Sequence, residues 1–273
     1  MSSQPDQTAT APETTGDAGP AYLGIDVGGS GIKGALVDLS SGKLIGERNR
    51  IATPHPATPK AVADVVAQLS DSWPPSPGGV QANFGCTVPG VVKAGLIKTA
   101  ANIDPLWIGC DAASLYTGAT GRNCRVINDA DAAGLAELRF GAGAGRGGTI
   151  AVITLGTGIG SALFVDGHLV PNTEMGHFEI DGRDAELFAA ASVREIEKLK
   201  WKEWAGRLNR YLEGFNRLIW PDLIILGGGI SKKADKFLPH LHLDVEVVPA
   251  LLHNDAGIIG AALVASEDSR PTP

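Results

Sequence analysis

The sequence holds only three cysteines, Cys86, Cys110 and Cys124, and no CxxC pair. An odd number at wide spacing excludes a disulfide framework and a cysteine-based zinc site, and it fits a reduced, cytoplasmic setting. Positive charge is also scarce. Lysine and arginine number 23 against 30 acids, a net charge of −7, whereas nucleic-acid binders are more often basic. No apolar run approaches the roughly 18 residues of a membrane span. Residues 1–20 have neither a lysine or arginine nor an apolar stretch, so they read as a disordered tail and not as a signal peptide. Aromatic residues are 5% of the chain, yet apolar residues are 44%, enough for a real core. Glycine is abundant, at 36 of 273 residues, against a usual share of about 7%.

The glycines cluster beside apolar runs, which points to tight strand ends. YLGIDV, IKGALVDL and KLIGERNRIA follow one another as a three-stranded meander. Residues 58–73 have helical spacing, with Val62, Val65, Val66 and Leu69 on one face. VQANFGCTVPG reads as a buried strand entering a Pro-Gly turn. RVINDADAAGLAELRFG switches from strand to helix at Asn128-Asp129. Residues 149–170 then repeat the strand, glycine turn, strand logic of residues 22–42, which predicts a duplicated α/β architecture. Residues 184–220 are expected as two helices, PDLIILGGGIS as a third strand ending in glycines, and 253–267 as a closing helix. The expected division is a small domain over 21–128 and a larger one over 129–254, with a cleft between them. The helix at about 255–267 is expected to pack back on the first domain.

Strand-to-glycine turns occur at 28–31, 156–160 and 227–229, and Lys33 follows the first. A glycine turn lets backbone N–H groups approach an anion such as phosphate; a plain hairpin turn is the simpler explanation for any one of them. The Walker string GxxxxGK[ST] is absent. Gly156-Thr157-Gly158-Ile159-Gly160-Ser161 lacks the last glycine of a dinucleotide fingerprint, and an apolar strand follows it.

Taken together, the motifs carry a resemblance. LGIDVGGSGIKGALVD (23–38) and LGTGIGSALFVDG resemble the two phosphate motifs of the actin-like, hexokinase-like (ribonuclease H-like) superfamily. LIILGGGIS resembles its adenosine motif and GIIGAAL its connector helix. FGCTVPGVV and EMGH resemble the PG loop and the ExGH sugar motif of the ROK group of sugar kinases, and the matching stretch runs from 22 to 265.

That resemblance implies a duplicated fold of two domains around a cleft, and phosphoryl transfer to a sugar hydroxyl. Asp129 is the implied base on the 6-hydroxyl, next to Asn128; both residue types also favour a helix N-cap. Glu174, His177 and Glu186, with Asn102 and Gly90 from the first half, are the implied sugar contacts. Asp26, Gly28, Gly29, Ser30 and Lys33 would face the donor phosphates, with Asp26 holding Mg²⁺ through water. Thr157 and Gly158 would close the other side, and Gly228 and Gly229 would flank a nucleotide base or ribose.

One departure narrows the resemblance. Many ROK members follow the ExGH histidine with a zinc-binding CxCGxxGC cluster; after His177 this chain reads FEIDGRDAELFAA, without cysteine. The cysteine-free form resembles the polyphosphate glucokinase branch of the group. It implies transfer from inorganic polyphosphate or ATP to glucose, with mannose as a second acceptor, in a monomer or homodimer without nucleic-acid or membrane partners. The alternatives are an ATP-only kinase for glucose, fructose or an N-acetyl sugar, and a sugar-responsive repressor of the same group. Repressors of the group carry an N-terminal DNA-binding helical domain, and residues 1–20 do not read as one. A non-enzymatic actin-like scaffold leaves the Asn-Asp and EMGH residues unexplained. Polyphosphate calls for a basic track. Lys198, Lys200 and Lys202, then Lys232, Lys233 and Lys236, are candidates, though a solvated helix face gives the same pattern.

Overall fold

A computed structural model describes residues 20–101 and 103–267; the expected tail before Pro20, and Asn102, lie outside the described residues. The chain opens with β1 (Ala21–Gly28), β2 (Gly31–Asp38) and β3 (Lys43–Ile51), the meander read from the sequence. There follow α1 (Pro59–Ser70), β4 (Val80–Val88), a small hairpin of β5 (Val92–Lys93) and β6 (Leu96–Ile97), α2 (Ala112–Thr120) and β7 (Cys124–Asn128). Next come α3 (Asp129–Phe140), β8 (Thr149–Leu155), β9 (Ile159–Val165) and β10 (His168–Val170). A second small hairpin, β11 (Glu179–Ile180) and β12 (Arg183–Asp184), precedes α4 (Glu186–Ala189), α5 (Ala191–Ile196) and α6 (Trp201–Ile219). The chain closes with β13 (Leu223–Gly227), β14 (Glu246–Pro249) and α7 (Ala256–Ser266).

Two five-stranded sheets result, ordered β3-β2-β1-β4-β7 and β10-β9-β8-β13-β14. In each, three antiparallel strands are extended by two parallel ones. The two orders match position for position, so the repeat seen in the sequence is a repeat of whole sheets. The expectation of two helices over 184–220 is corrected to three, α4, α5 and α6. Ala190 takes extended backbone (φ −58°, ψ 158°) and ends α4, and Lys198 at φ 54° lies in the break between α5 and α6. The short α2 and β14 were not legible, because DAASLYTGATGRN is rich in small and polar residues and EVVP is only four residues long.

The closing helices decide how the sheets meet. α1 and α2 cover the outer face of the first sheet through Val62, Val66, Leu69 and Tyr116, and α6 covers the outer face of the second. α6 does so with Trp204, Leu208, Tyr211, Leu212 and Phe215, an i, i+4, i+7 stripe in which each buried side chain contributes about 1.5–3 kcal/mol. Between the sheets, α3 and α7 pack on each other. Here the chain crosses over: α3, which follows the first sheet, lies on β8 and β9, and α7, which follows the second, lies on β1 and β4. α7 is AGIIGAALVAS, apolar all round, as expected of a helix enclosed on every side. It sits so close to the sheet that a Cβ on Gly24 would fall 2.0 Å from the Ile258 carbonyl oxygen, and one on Gly85 1.7 Å from that of Ala261. Only glycine fits there.

Candidate active site

Strand alternation sets the first acid. Leu23, Ile25 and Val27 face the α1–α2 core, so Gly24 and Asp26 point to the other side, where α7 lies. β4 runs beside β1 with Gly24 opposite Gly85 and Ile25 opposite Cys86, which brings Thr87 next to Asp26. The Thr87 hydroxyl donates to Asp26 Oδ1 at 3.1 Å and accepts from the Val27 N–H at 2.9 Å. Lys33 Nζ lies 3.4 Å from the other oxygen, Oδ2. The start of α7 closes the fourth side: a Cβ on Gly257 would stand 2.8 Å from Asp26 Oδ1.

The start of α3 supplies the second acid. Asn128 is the N-cap, its Oδ1 accepting from the N–H groups of Ala130 and Asp131 at 2.8 and 3.0 Å, while its Nδ2 donates to the Gly90 carbonyl at 3.2 Å. The cap is therefore Asn128, and Asp129 at the first helical position is released to face the cleft. Burial pushes the Asp129 carboxyl up to about 7; the charges of Asp26 and Glu174 add to this, against a hydrogen bond from the Ala130 N–H. Two residues on, Asp131 is 2% exposed. Burial lifts it to about 6, and only its Oδ2 is bonded, by the Asn172 N–H at 2.8 Å.

A third group sits on the 3₁₀ turn Met175–His177 and the hairpin after it. His177 Nε2 is 3.5 Å from Glu174 Oε2, and His177 Nδ1 is 2.8 Å from Asp184 Oδ2. Glu186 Oε2 accepts from the Ile159 N–H at 3.2 Å. Burial raises the Glu174 carboxyl, the His177 charge opposes this and the Glu186 charge supports it. For His177, burial acts downward, but the Asp184 hydrogen bond and the charges of Asp184, Glu186 and Glu174 raise the ring. His177, Asp184 and Glu186 place one donor atom each within 4.8 Å of one another. His177 and Asp184 are already bonded to each other, so the trio reads as a hydrogen-bonded group.

All three groups open on one cleft of ≈ 440 Å³. Its walls hold Asp26, Gly28, Gly29, Ser30 and Lys33 from the first turn, and Gly90, Asn128 and Asp129 from the centre. Thr157 and Gly158 line it from the second turn, Gly228 and Gly229 from the third, with Glu174, His177 and Glu186. Every described residue read from the sequence as a catalytic, sugar or phosphate contact is thus brought to one place. Both central helices begin there, through Asn128–Ala130 and Ala256–Gly257, and helix N-termini favour anions. The lysines do not join them: Lys198, Lys200, Lys202, Lys232 and Lys233 are exposed outside the cleft wall.

What the sequence reading missed are the braces. Each glycine turn has a carbonyl held by a hydroxyl. Thr53 Oγ1 donates to Gly28 O at 2.5 Å, Ser192 Oγ to Thr157 O at 2.6 Å and Ser231 Oγ to Gly228 O at 2.8 Å. Arg50 Nη2 adds a bond to Ser30 O at 2.6 Å. These bonds satisfy turn carbonyls and tie each turn to a neighbouring segment. No local pattern marks Thr53 and Ser192, which lie 25 and 35 positions from their partners; Ser231 is only three positions from Gly228.

Known proteins resemble this chain in sequence and fold. The ROK family model matches residues 22–192. A polyphosphate glucokinase of Mycobacterium tuberculosis is 48% identical over 96% of this chain and 99% of its own. The crystal structure of the inorganic polyphosphate/ATP-glucomannokinase from Arthrobacter sp. strain KM superposes with a TM-score of 0.87 at 52% identity, covering 90% of this chain and 98% of that one. A ROK family glucokinase from Streptomyces griseus, solved with glucose and AMPPNP, shares the fold at a TM-score of 0.75 and 23% identity, covering 90% of this chain and 99% of its own. With the duplicated sheets, the crossed helices and a family match over more than half its length, the chain belongs to the ROK family.

Proposed function

We propose that this chain transfers a phosphoryl group from inorganic polyphosphate or ATP to the 6-hydroxyl of glucose, and to that of mannose. One observation carries the reading: Asp129, a carboxylate raised to about 7, stands in a single cleft between a phosphate-type turn bearing Lys33 and the hydroxyl-binding set Glu174, His177 and Glu186. A general base works best with a pKa near the operating pH, and burial has brought Asp129 there.

In this reading the sugar hydroxyls bond Glu174, His177 and Glu186, and the 6-hydroxyl donates to Asp129. Asp129 takes that proton as the oxygen attacks the terminal phosphorus in line. Lys33 and the N–H groups of Gly29 and Ser30 hold the donor phosphates from one side, Thr157 and Gly158 from the other. Gly228 and Gly229 flank a base or ribose when the donor is a nucleotide. Kinases of this kind use a divalent cation. The donors here fit Mg²⁺: Asp26 offers hard oxygen atoms at the phosphate turn, and its charge is one cause of the raised Asp129 carboxyl, which favours a cation held through water. When bound, that ion neutralises charge on the phosphates.

We also assign the domain boundary to Asn128-Asp129, with α7 returned to the first half, and the two halves close over the sugar to exclude water. No helix among the described residues is long and apolar enough to cross a membrane. We further propose a cytoplasmic enzyme without membrane or nucleic-acid partners, as monomer or homodimer; the scarcity of cysteine and the net charge of −7 are in keeping with a reduced compartment and with no general affinity for nucleic acid.

The test is glucose 6-phosphate formation by purified protein with Mg²⁺ and either nucleotide-free polyphosphate or ATP. Turnover with both is expected. Activity with ATP alone removes the polyphosphate claim, and activity with neither overturns the reading.

A further inference from the structure

His177 raises a question of tautomer. A neutral imidazole carries its hydrogen on one nitrogen and accepts on the other, and the partner of the first nitrogen decides which. In this chain no cysteine follows His177 to hold the ring. The hairpin of β11 and β12 supplies the partner of the ring here. Its turn, Asp181-Gly182, has positive φ at both residues (53° and 72°), the conformation of a tight two-residue hairpin. The hairpin is tied to α6 by the Arg210–Asp181 ion pair and by Phe178 stacked on Tyr211 with ring centroids 5.3 Å apart. Its last residue is Asp184. Asp184 Oδ2 meets His177 Nδ1 at 2.8 Å, and Oδ1 accepts from the Glu186 N–H at 3.1 Å. One carboxylate therefore holds two of the three residues proposed to bind the sugar.

We propose that Asp184 is the positioning residue of the sugar subsite, locking His177 with its hydrogen on Nδ1 so that Nε2 faces the cleft as an acceptor for a sugar hydroxyl. A carboxylate only accepts, so the hydrogen of the His177–Asp184 bond comes from Nδ1. In the neutral ring Nε2 then stands 3.5 Å from Glu174 Oε2, two acceptors side by side, whereas in the protonated ring the same nitrogen donates. Such a pair suits a polyol, whose adjacent hydroxyls donate one to each. The same bond at Oδ1 fixes the first turn of α4, and with it Glu186.

This inference rests on the sugar-kinase reading for its ligand, but the tautomer is read without any sugar. The full chain is labelled with ¹⁵N-histidine, the His177 ring is assigned by its loss in His177→Gln, and the ring nitrogens are observed above the His177 pKa. The expected result is hydrogen on Nδ1 in the parent and loss of that preference in Asp184→Ala. Asp184→Asn is the second variant if Asp184→Ala does not fold. Its single amide oxygen cannot accept from both His177 and Glu186, so one of the two bonds is lost. In either variant the glucose KM is expected to rise about tenfold, with the polyphosphate and ATP KM values unchanged. A parent tautomer with hydrogen on Nε2, a tautomer unchanged in both variants, or a donor KM that rises as much as the glucose KM overturns the proposal. So does stoichiometric zinc in the purified parent whose chelation removes activity, because His177, Asp184 and Glu186 would then be metal ligands. A chain that phosphorylates no hexose overturns the kinase reading, and the tautomer still decides the role of Asp184.

Discussion

The Thr87 hydroxyl donates to Asp26 at 3.1 Å while accepting from the N–H of Val27, the residue after Asp26, at 2.9 Å. Thr87 is fully buried, so its hydroxyl ties the acid to its own strand. Thr87→Val keeps the shape, removes the bond to Asp26 and leaves a buried N–H without a partner. The expected loss is about 1–3 kcal/mol of stability and a tenfold or larger fall in kcat. Thr87→Ser restores most of both. Denaturant unfolding and steady-state kinetics of the pair read the two effects separately, and a Thr87→Val variant with parental kcat refutes the role given to Asp26.

Asp129 makes a prediction in pH. As the base it must be ionised, and its carboxyl is raised to about 7, so kcat/KM for glucose rises with pH through that value and levels above it. Asp129→Asn removes the proposed base, and kcat is expected to fall by about 10²–10⁴-fold with a smaller change in sugar KM. Stability moves the other way. The pKa of Asp129 lies above the ordinary carboxylate value of about 3.9, so the folded state binds this proton more tightly than the unfolded chain. Ionising it destabilises the fold progressively from about pH 4 to about pH 7. Asp129→Asn is therefore expected to be more stable than the parent at pH 8 and to lose that advantage below pH 4. Thermal melts at the two pH values check the sign.

Gly257 separates folding from function. Its Cβ would lie 2.8 Å from Asp26 Oδ1 and 2.9 Å from Asp26 Cγ. Gly257→Ala sits in a helix, where alanine gains roughly 0.5–1 kcal/mol over glycine, but it displaces the Asp26 carboxylate. A melting temperature within a few degrees of the parent, with kcat reduced about tenfold or more, is the expected pattern. Unchanged kcat would show that Asp26 need not be where it is seen.

Lys232 and Lys233 begin just past Gly228 and Gly229, which line the cleft. Both are exposed outside the cleft wall. Replacing both with alanine is expected to raise the polyphosphate KM more than the ATP KM, and the gap should shrink as salt screens the charges. Equal effects on both donors would leave them as solvated surface.

Closure is expected on sugar binding. In this structure the halves are joined near the cleft by Asn172, whose side chain accepts from the Val92 N–H at 2.8 Å and donates to the Val92 carbonyl at 2.9 Å. Small-angle scattering should show a smaller radius of gyration with saturating glucose. An unchanged profile argues against a closing cleft.

Local chemistry wrote most of the scaffold into the sequence. Leu23, Ile25 and Val27 alternate with Gly24 and Asp26, so the strand, its buried face and the side on which Asp26 emerges follow from a period of two. The glycines end the strands, and the same strand, turn, strand order at 149–170 announced the second sheet. The Asn128-Asp129 switch from strand to helix was legible too, because cap-forming residues stand just before the helical pattern begins. Which of the two takes the cap was not, and this decides which carboxylate is free for chemistry.

Tertiary structure alone settled the rest. Thr87 reaches Asp26 across 61 positions, and Thr53 and Ser192 brace turns far from them in the chain. Such pairs leave no periodic trace, because a hydroxyl in a strand or loop looks the same whether or not a carbonyl waits for it. Asp184 stood in plain view as part of DGRDAE, yet only the hairpin's position against His177 gives it a partner. The raised pKa of Asp129 is likewise a property of its place. The residue type is fixed by the chain, but burial and the charges of Asp26 and Glu174 exist only once both sheets and the two crossed helices have closed around it.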